Sequence, residues 1–151
     1  MTVSASREVR DNQRNLRFER APLSSHPTRP KRGLYEDCFV LLTPTSITLK
    51  TYWLPFLLPR RIPLERVLGV LWREQSSSGC LLNGCWGYTR RPERRFWACD
   101  ISRRAGLANR GNVVLYIGEA SAKGFSVVDL TAFLPALQAA LSPDVLLLYD
   151  Q

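Results

Sequence analysis

Residues 123–142 read KGFSVVDLTAFLPALQAALS, and the spacing of their apolar side chains changes at Asp129. Before it, KGFSVV has the composition of a short strand. After it, Leu130, Phe133, Leu134, Leu137 and Leu141 recur at steps of three and four, which places them along one face of a helix. Asp129 suits the N-cap, because its carboxylate accepts orphan amide hydrogens and its charge complements the helix dipole. Pro135 removes one hydrogen bond from this helix, and Pro143 ends it. The spacing predicts one amphipathic helix over about residues 129–141, reached directly from a strand.

Strand signals fill the chain upstream. NVVLYIGE (112–119) and KGFSVV form an expected hairpin joined near 120–122, and RRFWACDIS (94–102) follows the basic turn TRRPER. IPLERVLGVLWRE (62–74) is rich in Val, Leu and Trp, and SSSGCLLNG breaks it with small residues and glycine. CFVLL, the turn TPTS and ITLKTYW form a further hairpin in which Ile47, Leu49 and Thr51 share one face and Thr48, Lys50 and Tyr52 the other. About seven antiparallel strands between 38 and 128, closed by a C-terminal helix, is the expectation. Residues 1–33 lack a sustained apolar period and include APLSSHPTRPKRG, so they read as a disordered basic arm. The domain then spans 34–142. DVLLLYDQ remains as an apolar tail over 143–151, open to strand, helix or loose packing.

This arrangement resembles the pleckstrin homology (PH) fold, two nearly orthogonal antiparallel sheets forming a barrel with one helix over an open corner. The likeness extends to Ile47–Lys50, to Ile62-Pro63-Leu64-Glu65-Arg66-Val67, to Trp86-Gly87-Tyr88, and to the strand-Asp-helix run from Phe125 to Phe133. It covers roughly 35–142. It implies a non-enzymatic binding module. Headgroup-binding members carry a basic cluster around the loop between the first two strands; here that turn is the tight Thr43–Ser46, with no basic residue in Cys38–Leu42. The usual pocket is therefore not expected.

Charge is unevenly placed. The net formal charge is +8, with seven basic and two acidic residues in 75–111 but one basic and four acidic in 112–151. Arginine supplies nearly all of it, and its planar fork suits phosphate and carboxylate oxygens. Two stretches stand out. YWLPFLLPRR (52–61) sets eight apolar residues against two arginines. It is too short to cross a bilayer, which takes about 20 apolar residues. Either Trp53, Phe56 and Leu58 pack in the barrel or cover its edge, or they form an exposed tip with Lys50, Arg60 and Arg61 beside it, a grouping suited to an anionic membrane or a protein partner. The second stretch, Arg90, Arg91, Arg94 and Arg95, with Arg103 and Arg104 a strand away, reads as solvated loops or as a basic binding surface.

Chemistry has little support. His26 lies in the arm, no glycine-rich phosphate loop or nucleophile elbow is present, and Cys85 and Cys99 have no base beside them in sequence. The spacing of Cys38, Cys80, Cys85 and Cys99 suits neither a disulfide framework nor a zinc site, so no cofactor or metal is expected and a reducing, cytoplasmic setting is. The sequence reading is a docking module for a partner protein or an anionic membrane surface, peripheral to that membrane. A basic nucleic-acid-associated protein and a structural or assembly subunit are the alternatives.

Overall fold

The computed structural model describes residues 33–53, 55–75, 85–90, 93–105 and 109–150. The arm up to residue 32, His26, Cys80, Arg91 and the side chain of Arg104 lie outside the described residues.

The chain is mainly β, with two sheets and one C-terminal helix. Strands β1 (Tyr35–Glu36), β2 (Val40–Leu42), β3 (Ser46–Trp53) and β4 (Leu58–Pro63) form an antiparallel sheet in chain order. A 3-10 turn at Leu64–Arg66 then turns the chain into the second sheet, built from β5 (Gly69–Glu74), β6 (Gly87–Thr89), β7 (Arg95–Trp97), β8 (Gly111–Tyr116), β9 (Ala122–Val127) and β10 (Leu146–Tyr149). Their spatial order is β10-β5-β8-β9-β7-β6, and helix α1 (Leu130–Ala140) lies between β9 and β10 in the chain.

Four expectations are corrected here. Among the described residues there are ten strands rather than about seven, in two sheets that do not close into a barrel. The strand expected over residues 62–74 is divided, because Pro63 has no amide hydrogen and the Leu64 amide donates to Thr45 O at 2.9 Å, ending the ladder at that corner. The pairing is also not wholly antiparallel: β7 runs parallel to β9, and β10 parallel to β5. The β8–β9 hairpin and the β5–β8 pair leave the outer edge of β9 as the place β7 can join, and β7 reaches it in β9's own direction.

One core holds the two sheets and the helix together. Val40, Leu42, Ile47, Leu49 and Ile62 face Val70, Val113, Leu115, Phe125 and Val127, with Leu130, Phe133 and Leu137 of α1 closing the space. Phe133 is fully buried, in edge-to-face contact with Tyr35 at 5.2 Å and Phe125 at 5.9 Å, and its burial contributes about 1.5–3 kcal/mol. Asp129 caps α1 as its type and position suggest, accepting from the Ala132 amide at 3.1 Å. Pro135 is tolerated on an exposed face. Tyr35 and Asp37 link the first sheet to the helix start: the Tyr35 hydroxyl donates to Asp37 Oδ2 and accepts from the Asp129 amide, while Asp37 Oδ2 accepts from the Val128 amide.

The alternation of β3 holds for Ile47 and Leu49 and then fails, because the register shifts between Leu49 and Trp53. The bulge turns Tyr52 inward, so it is buried on the side expected to face out.

Behind the second sheet, a polar network is enclosed. Asp100 accepts from the Ser126 hydroxyl at 2.6 Å and from Ser102, Gln75 Nε2 donates to Asn112 and Ser126, and Arg103 donates to Ala98 O while lying 4.8 Å from the Trp97 ring centroid. Burial raises the affinity of the Asp100 carboxyl for its proton, but the bonds from Ser102 and Ser126 and the charge of Arg103 outweigh it and hold the group below the usual range.

Candidate docking site

The β3–β4 hairpin ends in a projecting apolar tip. Trp53 pairs with Leu58, and Pro55, Phe56 and Leu57 form the turn between them. Phe56 is 79% exposed, and Trp53, Leu57 and Leu58 are each about half exposed. Phe56 is therefore not packed into the domain, whereas Trp53 covers the edge of the core against Tyr52 and Phe96. Leu57 has φ 48°, a left-handed conformation costing a branched side chain about 1 kcal/mol, and this tight turn directs the neighbouring apolar groups to solvent.

Aromatic side chains extend the tip sideways. Phe96 on β7 is buried and forms a floor, with ring centroids of Trp53 at 5.0 Å, Tyr88 at 4.9 Å and Trp86 at 6.0 Å around it. Trp86 is 40% and Tyr88 67% exposed, and Trp86 Nε1 donates to Tyr52 O at 3.1 Å, fixing that ring beside the end of β3. Trp86-Gly87-Tyr88, in sequence a fold motif, is also part of this surface. Its signal was present in the aromatic pair separated by glycine: Gly87, at φ 92°, adopts a conformation suited to that residue type.

The basic candidates fall into three groups. Arg60 lies over the Tyr52 ring at 5.2 Å and bonds Glu119 at 2.5 Å. Glu119 also holds Arg66 and Lys123, so one carboxylate stands among three cations and the cluster keeps a net positive charge beside the tip. The Lys123 bond, above all, holds Glu119 below the ordinary glutamate range. Arg61 is exposed and donates from Nε to Ser46 Oγ. Lys50 is committed to Glu36 and Asp37 O.

Arg90 and Arg94 form the second group, meeting at a recess of about 170 Å³ lined also by Tyr88, Thr89, Ala120 and Ser121. Neither guanidinium has a carboxylate partner among the described residues.

Arg95 forms the third group and corrects the grouping of four arginines as one surface. It is 3% exposed, with Nη1 bonded to Asp150 at 2.6 Å and Nε to Glu93 at 2.8 Å. Burial disfavours its charge, but the two carboxylates outweigh this and hold the guanidinium protonated. Arg103 is likewise internal. These cations are structural, and the basic surface expected around them is smaller than the sequence implied.

Burial pushes the Cys38 and Cys99 thiols up, which reduces their thiolate character. Among the described residues there is no cluster of three or more His, Cys, Asp or Glu placed to hold a metal ion. No described helix is long and apolar enough to cross a membrane. No protein-family model, curated protein or solved structure matches the chain.

Proposed function

We propose that this protein is a non-enzymatic PH-like module that docks peripherally on an anionic membrane surface through the β3–β4 tip. The two sheets and C-terminal helix support the PH-like part of this reading, while the parallel β7–β9 and β10–β5 pairs depart from that pattern. One observation carries the functional part: Phe56, Leu57 and Leu58 stand exposed on the hairpin whose second strand carries Arg60 and Arg61, with Arg66 sharing Glu119 with Arg60. Apolar side chains at a tip enter the headgroup region, and cations behind them meet anionic lipid. Trp53, Trp86 and Tyr88 are aromatic groups suited to the boundary between the two.

The test is flotation of the full chain with phosphatidylcholine vesicles, with and without phosphatidylserine. Binding should require the anionic lipid and weaken with salt, since each basic residue near the surface contributes about 1 kcal/mol. Capture of the chain by a partner protein without vesicle binding would favour a protein-docking module instead. A shift with nucleic acid alone would favour the nucleic-acid alternative.

An assembly role is a second reading, favoured by β10. This strand lies at the edge of the six-stranded sheet with Leu146, Leu148 and Tyr149 about half exposed. Sedimentation of the full chain at several concentrations tests it.

A further inference from the structure

We propose that the recess lined by Thr89, Arg90, Arg94 and Ser121 is an oxyanion site that takes a phosphate monoester. Arg90 and Arg94 both line it, and the acids nearest in sequence are occupied elsewhere. Glu93 is bonded to Arg95 and to the Tyr116 hydroxyl, and Glu119 to Arg60, Arg66 and Lys123. Among the described residues, no carboxylate lines the recess.

The hydroxyls add a second, independent argument. Thr89 Oγ1 accepts from Trp97 Nε1 at 3.1 Å, and Ser121 Oγ accepts from Lys123 Nζ at 3.1 Å. Each oxygen already receives a proton from an inner donor, so each O–H remains available to donate to a further acceptor. The walls thus present two forked cations and two hydroxyl donors, a set that complements a tetrahedral dianion. The recess, at about 170 Å³, has room for a phosphate and its ester linkage. Tyr88 belongs both to this recess and to the aromatic floor on Phe96. The ligand phosphate therefore lies at the margin of the docking face, and the lipid form of the ligand rests on the membrane reading above.

Two arms separate the sources. In the first, isotope-labelled full chain is titrated with inorganic phosphate, glycerol 3-phosphate and dimethyl phosphate. The monoester should shift the amide signals of Thr89, Arg94 and Ser121, the diester much less, and Arg90→Gln with Arg94→Gln should weaken the monoester by about tenfold or more. In the second, vesicles carry phosphatidic acid or phosphatidylserine at matched surface charge. Wild type should prefer the monoester lipid severalfold, and the double variant should bind both alike. A thermal melt confirms that the variant is folded, and Arg94→Lys, which keeps charge and loses the fork, should fall between. Binding of the soluble monoester without vesicle binding would retain the recess and discard the membrane reading. Equal binding of monoester and diester, or an unaffected double variant, would overturn the recess while leaving the membrane reading in place.

Discussion

Leu57 and Arg95 show how little of a residue's role its type conveys. At φ 48°, Leu57 occupies a backbone conformation that glycine adopts without penalty. Leu57→Gly should therefore leave the melting temperature nearly unchanged, because relief of strain offsets the greater chain entropy, while vesicle binding falls. Calorimetry beside flotation checks both. Arg95 behaves oppositely. Asp150→Asn or Arg95→Met removes one member of a part-enclosed pair, and Asp150→Asn should cost about 1–3 kcal/mol, since Glu93 still bonds the guanidinium. Arg61→Ala, at the exposed edge, should cost less than about 1 kcal/mol in a urea titration. In sequence, Arg90, Arg94 and Arg95 are alike. They differ through partners that local reading cannot assign, for Asp150 lies 55 residues from Arg95.

Helix α1 is the element most legible in sequence, since its apolar spacing, its cap and its closing proline all agree. Leu130, Phe133 and Leu137 are buried as the spacing requires, and Pro135 is the one local conflict. Pro135→Ala restores an amide donor on an exposed face and should raise stability by roughly 1–3 kcal/mol, read from the shift in denaturation midpoint. Strand order was much less legible. Alternation marks a strand's faces and says nothing of its neighbour, so the parallel pairing of β7 with β9 emerged from which sheet edge was unoccupied. Gly124 belongs to that pairing: a Cβ there would lie 2.4 Å from Trp97 Cε3, and Gly124→Ala should lower the melting temperature by several degrees. The tip was half legible. Two prolines in YWLPFLLPRR marked the bend, but the bulge that turned Tyr52 inward depends on tertiary pairing.

Across the whole molecule, stability and docking draw on different charges. The folded Asp100 value lies below the unfolded one near 3.9, so its contribution is present above that pH and is lost as pH falls through the folded value. Acid unfolding of Asp100→Asn should lose this component, and the variant should be about 1–3 kcal/mol less stable at neutral pH. Glu119→Gln should separate the two properties. It leaves the nearly buried Lys123 ammonium without its acid, lowering stability, yet adds one net positive charge beside the tip and should tighten anionic vesicle binding about fivefold at low salt. Insertion of the tip is tested most directly by quenching of tryptophan emission with brominated phosphatidylcholine in anionic vesicles, since Trp53 and Trp86 are both part exposed at the proposed interface. Wild type should shift to shorter wavelength and be quenched, with Phe56→Ser markedly less so at unchanged melting temperature. Vesicle-bound protein whose tryptophans stay unquenched would contradict membrane docking through the β3–β4 tip.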